Sequence, residues 1–476
     1  MTHGNEETQE LERGLSSRHL ELMAIGGSIG TGLFMGSGKM ISVTGPAMLV
    51  VYLIIGFVVF LVMRALGELL LSNLHYRTFG EIAKDLIGPW AGFFVSWTYW
   101  FSWTIGCVAD IIAITGYISW FSSSISPWIP AAIAAAVLLV LNLLPVRFFG
   151  EVEFWFALVK IVAIVGLIAT GLIMMVSGFQ NPETHTAASV SHLWDRGGVF
   201  PFGVSGFLMG FQMGIFSFIG VELVGTAATE TKDPHKNLPK AINSMVLRIL
   251  IFYVLALAVI MSITPWDEIN PEASPFVTTL AYAGFGIAAI VINLVVIISA
   301  ASSANSGVYS GGRMLFSLSH DKHAPRPFGT INTYGVPSRA VLATGLLLFT
   351  AVPMLIAGGD ILKAFVFVSS VCSTMVLFTW GMITVSFIVF LRKFPEKHEA
   401  SHFKMPLPHV APWLILAFFG FILFTLIYGS DTRAATLCAP VWFAVLGLFW
   451  WRTKRKLTRA GRPLAAEIPA DEGDVE

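Results

Sequence analysis

Of the seven residues from Gly26 to Gly32, every one except Ile29 is glycine or hydroxylated, and the run lies inside an apolar stretch, HLELMAIGGSIGTGLFMGSG. Glycine holds a helix poorly. Non-helical backbone at membrane depth survives only where it is buried in protein or lines a polar cavity, so a break here points to a site. Small residues also let helices pack closely, and Gly32 and Gly36 have the small-xxx-small spacing, so on this run alone the two readings balance. A second interruption tips the balance: GFQMGIFSFIGVELVGTAATE again carries glycines, together with a carboxylate, Glu222. The chemistry of two such breaks is specific. A half-helix N-terminus offers N–H groups and a positive dipole end to an anion, and a half-helix C-terminus offers carbonyls to a cation. An amino acid zwitterion presents both charges.

Ionisable residues inside apolar runs are the next signal. Lys160, in FWFALVKIVAIVGL, lies about eight residues, or about 12 Å, from the nearer end of its run. Intramembrane charges are expensive and usually face a cavity or a partner. A lysine that loads and unloads a proton near neutral pH is what a proton-coupled carrier requires. Gly26, Lys160, Glu222 and the Ser302/Ser303 pair fall roughly six to ten residues from the same ends of their runs, which places them in one layer. Arg64 and Glu68, spaced i,i+4, read as a local pair. Asp110 either lines an outer vestibule or takes a hydrogen bond from a neighbouring helix. The three cysteines, Cys107, Cys372 and Cys438, lie in apolar runs and read as core filler. Their spacing forms no thiolate metal site, and no cofactor is expected.

The elements that must position these residues follow from composition. The chain of 476 residues is 55% hydrophobic and 12% charged, with a mean hydropathy of +0.75. These values place it outside soluble globular domains and among membrane proteins. Runs near the roughly 20 residues that cross a bilayer as a helix recur along it. They are 20–42, 46–71, 90–121, 128–146, 152–177, 204–229, 242–263, 277–310, 339–357, 361–391, 410–428 and 435–451. The expected fold is an all-α polytopic membrane protein of about twelve helices. Most of the 29 Lys and Arg fall in segments that are cytoplasmic if the N-terminus is inside, and only Lys39, Arg196, Lys363 and Arg433 fall in outer loops. Both termini are therefore expected in the cytoplasm. The zero net charge hides this sidedness and gives no support to a nucleic-acid partner. The lipid bilayer is the expected surrounding.

The two interruptions lie five spans apart, as expected of an inverted-repeat secondary transporter that holds its substrate between half-helices at the midplane. On this reading 16–392 is a ten-helix transport core with discontinuous helices 1 and 6. Residues 393–452 form a cytoplasmic loop and helices 11 and 12, and 1–15 and 453–476 are cytoplasmic tails.

Six segments together resemble the amino acid permeases of the amino acid–polyamine–organocation superfamily: RHLELMAIGGSIGTGLFMGSG, VMRALGELLLSN, GPWAGFFVSWTYWF, FGEVEFWFALVKIVAIV, FSFIGVELVGTAATETKDPHKNLPKAI and SAASSANSGVYSGGRMLF. GPWAGFFVSWTYWF, Ala109–Asp110, Thr264–Trp266 and Ser274–Val277 are most similar to members that carry glycine, D-alanine and D-serine. Gly311 and Gly312 depart from them, where Ser or Thr is expected. The resemblance implies a ten-helix inverted repeat plus two helices in a bacterial cytoplasmic membrane, importing a small neutral amino acid with a proton. It also implies residue roles. The substrate carboxylate would meet Gly30, Thr31 and Gly32, using backbone N–H groups and the Thr31 hydroxyl. The ammonium would meet carbonyls of Ser28, Phe216 and Ile219, with the Phe216 ring as a gate. Lys160 would stand where sodium-coupled relatives hold sodium, bridging the first, fifth and eighth helices. Glu222 either titrates as a second group or braces the sixth helix.

Two other classes compete. A membrane enzyme would need a nucleophile elbow, an HExxH zinc site or a P-loop; the chain has no P-loop, and HEASH at His398 to His402 and GGSIG at Gly26 to Gly30 match the other two spacings as letters only, since GGSIG lies in an apolar run and HEASH in a polar connection between two such runs. A receptor that binds amino acids without moving them would carry the same site. The D or L preference depends on pocket walls that the sequence does not place.

Overall fold

The computed structural model describes residues 29–76, 78–144, 146–181, 185–223, 233–282, 284, 286–332 and 335–459. Gly26 and Ser28 lie outside them, as do residues 1–15 of the N-terminal tail. Among the described residues the chain is helical, with an isolated bridge between Gln180 and Ala187. α1 runs over Thr31–Phe34 and, after Met35, Gly36–Thr44. It is followed by α2 (Met48–Ser72), α3 (Pro89–Ser119), α4 (Trp128–Asn142), α5 (Val146–Val176) and α6 (Gly203–Gly214). Then come α7 (Pro234–Ile263), α8 (Gly286–His320), α9 (Ser338–Gly358), α10 (Ile361–Lys393), α11 (Ala411–Tyr428) and α12 (Cys438–Arg459). Helices dominate because a chain in lipid must satisfy its own backbone groups.

α3 and α10 form the centre, with α8 packed on α3. The most apolar stretch of α3 is 78% buried in protein, against 22% for the α12 region, so α3 can carry site residues while α12 lies at the periphery of the bundle. Helix starts outside the membrane use ordinary caps. Thr78 and Glu81 make a reciprocal capping box on the short helix Phe79–Leu86. Asp360 caps α10 by accepting the Lys363 N–H at 2.9 Å, a bond that holds its carboxyl below the usual carboxylate range.

Several sequence expectations change in detail. Pro275–Tyr282 is a separate short helix, so α8 starts at Gly286, later than the expected 277. Gly284, at φ 83, makes the break. α12 continues to Arg459, beyond the expected start of the C-terminal tail. Cys107 and Cys372 are buried, but Cys438 is exposed at the start of α12. Gly311 and Gly312 face α9: a Cβ there would lie 2.8 Å from Thr344 Cγ2 and 2.7 Å from Val341 Cγ2 respectively, which leaves no room for a side chain.

The charges of Arg64 and Glu68 act on each other as expected of an i,i+4 pair, but their hydrogen bonds go elsewhere. Both hold the segment between α10 and α11 against α2. Glu68, 1% exposed, accepts from His398 Nδ1 at 2.5 Å and from the Met405 N–H at 2.8 Å. Arg64 donates to Asn243 Oδ1 and to the Lys404 carbonyl, and lies 3.8 Å over the Phe403 ring. Removing the carboxylate leaves two polar groups without their acceptor. Glu68→Ala is therefore expected to destabilise the protein by about 2–4 kcal/mol. Thermal unfolding of the detergent-solubilised variant should show a midpoint several degrees below wild type.

Candidate functional site

The site is built where two helices stop. Gly30 is extended (φ −125, ψ −165) and precedes the first turn of α1 with no side-chain cap. Its carbonyl accepts from the N–H groups of Leu33 and Phe34 at 3.2 and 3.4 Å. The N–H groups of Thr31 and Gly32 belong to the first turn, where a helix cannot satisfy its own donors. Facing them, α6 tightens into a 3₁₀ turn over Ile215–Phe218, and Ile219 is extended (φ −65, ψ 138). Gly220 follows at φ 98, a conformation that favours glycine. The helix therefore ends inside the protein, as glycine content suggested.

The two breaks touch backbone to backbone. A Cβ on Gly32 would lie 2.6 Å from Ser217 Cα and 2.9 Å from Ser217 N, whereas one on Gly36 would meet nothing closer than 3.7 Å. Close packing and helix interruption are thus both true of Gly32. The α6 terminus is held from the side by α2 and α7. Tyr253 donates to the Ser217 carbonyl at 2.7 Å, from a π-helical segment, Ile249–Leu255. The Tyr52 hydroxyl lies 3.1 Å from Ser217 Oγ. The Phe216 carbonyl accepts the Ile219 N–H at 3.2 Å, and a carbonyl keeps a second lone pair for another donor.

Between the breaks lies a cavity of about 30 Å³. A cavity needs about 10–15 Å³ to hold one water, so this space is small. Gly30, Thr31 and Gly32 line it from α1, and Phe216, Ser217 and Ile219 from the end of α6. Ser102, Trp103, Gly106 and Asp110 close it from α3, and Ser303 from α8. The Phe216 ring, 7% exposed, packs edge-on against Phe365 with centroids 5.7 Å apart.

Lys160 is completely buried and reaches the α1 break from α5. Its Nζ donates to Ser302 Oγ at 3.1 Å and to the Ile29 carbonyl at 3.4 Å. Ser299 donates to the same carbonyl at 3.0 Å. Lys160 and Ser302 therefore meet, joining α5, α1 and α8. Ser303 faces the cavity instead, with its Oγ 3.5 Å from the position of a Cβ on Gly30. Glu222 is fully buried but does not line the cavity. It accepts the Gly220 N–H at 3.1 Å and the Tyr99 hydroxyl at 3.3 Å, which braces the turn at the end of α6 against α3.

Sequence reasoning left Asp110 undecided. It faces the cavity and accepts the Thr31 hydroxyl at 2.6 Å. Tyr52, Tyr99, Tyr253 and Ser299 were missed. Only Ser299 had a sequence signal, lying one turn before Ser302 on the same face of α8. Among the described residues no cluster of three His, Cys, Asp or Glu could hold a metal ion.

Comparison with known proteins agrees with this architecture. The family model for amino acid permeases matches residues 19–460. The chain is 50% identical to the D-serine/D-alanine/glycine transporter of Escherichia coli K12, over 93% of this chain and 94% of that one. It is 44% identical to the amino-acid permease AapA of Bacillus subtilis, over 92% and 94% of the two chains. To the aromatic amino acid transport protein AroP of Shigella flexneri it is 36% identical, over 94% and 97%. A multi-pass helical chain with a small cavity between two broken helices, matched along almost its whole length by these proteins, belongs to the amino acid permease family of membrane transporters.

Proposed function

We propose that this protein is a proton-coupled importer of glycine, D-alanine and D-serine that works by alternating access, with both termini on the cytoplasmic side of a bacterial inner membrane. The observation that carries the reading is the pair of facing helix ends across the cavity, α1 beginning at Thr31 and the 3₁₀ turn that follows α6 ending at Phe218. The substrate carboxylate docks on the first turn of α1 at Gly30, Thr31 and Gly32. Hydrogen bonds to a charged group contribute about 1.5–3 kcal/mol each. The ammonium docks on carbonyls at the end of α6, those of Phe216 and Ile219, and on Ser28. The small cavity suits a side chain of hydrogen, methyl or hydroxymethyl. The name of the relative that is 50% identical supplies the substrates, and the distribution of Lys and Arg supports the orientation.

Lys160 couples the proton. As an ammonium it donates charged hydrogen bonds to the Ile29 carbonyl and to Ser302, and so holds the α1 break to α5 and α8. A neutral amine makes weaker bonds, by about 1–2 kcal/mol. That is enough to shift a two-state equilibrium about tenfold. Glu222 is a second candidate proton group.

Two measurements test the reading. In proteoliposomes loaded with unlabelled glycine, labelled glycine should accumulate transiently by counterflow, and its absence would mean that the protein binds without transporting. Glycine methyl ester, which lacks the anion, should compete at least about tenfold more weakly than glycine. Equal competition would rule out a carboxylate cradle at Gly30 to Gly32. A panel of glycine, D-alanine, D-serine, L-alanine, L-phenylalanine and L-lysine would rank the substrates.

A further inference from the structure

Among the described residues that line the cavity, Asp110 is the only acid. It is 3% exposed, and its Oδ1 accepts from the Thr31 hydroxyl at 2.6 Å. A hydroxyl has one hydrogen. While that hydrogen points to Asp110, the Thr31 hydroxyl can offer a ligand nothing but lone pairs, and a substrate carboxylate is itself acceptor-only. An ionised Asp110 therefore opposes substrate twice: it occupies the hydroxyl donor of the cradle, and it places a negative charge beside the site for a second one. Like charges in a buried site do not both stay ionised.

We propose that Asp110 takes up a proton each time a substrate carboxylate docks at Gly30 to Gly32, so that proton and amino acid enter as a pair. This rests on the carboxylate cradle proposed above, and to Lys160, whose charge sets the access state, it adds a group that loads a proton as the substrate binds. The proton comes from water on the loading side and forms an O–H bond on Asp110. The hydrogen of Thr31 then turns from Asp110 to the substrate carboxylate, with the new Asp110 O–H donating to Thr31 Oγ1. On the cytoplasmic side the carboxylate leaves, the proton returns to water, and the original hydrogen bond re-forms.

The surroundings of Asp110 fit this cycle. Thr31 faces it from α1, Lys160 from α5 and Ser303 from α8. Cys372 faces it from α10, and Cys107 and Tyr117 lie on its own helix. Lys160 is the cation among these groups. When it is protonated, the incoming carboxylate and Asp110 compete for its charge. Glu222, the other buried acid near the α6 break, is engaged by Gly220 and Tyr99 instead.

The test is calorimetric titration of glycine into the purified full-length protein between pH 6 and 9, in buffers of different ionisation enthalpy. For wild type the Kd should rise by about tenfold per pH unit above the titration range of Asp110, with close to one proton taken up per glycine bound. Asp110→Asn keeps an acceptor for Thr31 without the charge. Its Kd should be flat across this range with no proton uptake, and accumulation driven by a pH gradient should be lost. Asp110→Ser gives the same readout should the asparagine variant not purify as a folded species. Wild-type binding without proton uptake, or an Asp110 variant that takes up as many protons as wild type, would overturn the assignment. Glycinamide separates the two ideas. If it binds as tightly as glycine, the carboxylate cradle fails; if it binds poorly while uptake persists without Asp110, the cradle stands and the proton belongs elsewhere.

Discussion

Lys160→Ala is expected to abolish uphill accumulation of glycine driven by a pH gradient while leaving measurable glycine binding. The Lys160 ammonium is fully buried, and its hydrogen bonds reach the Ile29 carbonyl at the α1 break and Ser302 on α8. Alanine removes the charge and leaves a cavity, a combination that also costs stability by about 2–5 kcal/mol. Lys160→Met separates these effects, because it fills most of the volume and cannot be protonated. Both variants should equilibrate glycine across proteoliposome membranes without concentrating it. Uphill uptake by either at the wild-type level would exclude Lys160 as the coupling group.

The second large effect is expected from a single methyl group. In Gly32→Ala the new Cβ would sit 2.6 Å from Ser217 Cα and 2.9 Å from Ser217 N. These are backbone atoms, so no side-chain rotation relieves the overlap, and the α1 and α6 breaks must separate. Misplacing binding groups by about 1 Å costs on the order of 100-fold in rate, and initial glycine uptake should fall by about that factor at matched expression. Gly36→Ala is the control: its nearest neighbours, Met213 Cε and Phe365 Cε1, lie at 3.7 and 3.9 Å, so near-normal uptake is expected. Normal uptake by Gly32→Ala would show that the contact with Ser217 does not constrain transport.

Much of the site is legible in the residues because its logic is local. Gly30 to Gly32 and Gly220 mark breaks through their own backbone preferences. A lysine inside FALVKIVAIV must find a partner within its own length, and it does so at Ser302. Asp110 was visible as an oddity yet could not be assigned, since one rotation of α3 would have turned it from the cavity to a neighbouring helix. Arg64 and Glu68 were legible only in part, for a related reason. Their spacing permits a pair on one helix, but the loop after α10 brings His398, Lys404 and Met405 to the same place and captures both.

Hydropathy and glycine placement by themselves determined a multi-span helical membrane protein and the position of its two interruptions, and the Lys and Arg positions gave an expected sidedness for its loops. Each of these follows from the cost of exposing a peptide group or a charge to lipid, a cost paid residue by residue. Only the tertiary structure decided which polar groups meet. Thr31 and Asp110 are 79 residues apart in the chain, Lys160 and Ser302 are 142 apart, and Glu68 and Met405 are 337 apart. A hydrogen bond forms only within about 3 Å and in the right direction, so such pairs depend on the rotation and depth of every helix between them. Those quantities are set by packing across the whole bundle, and no stretch of the chain encodes them alone.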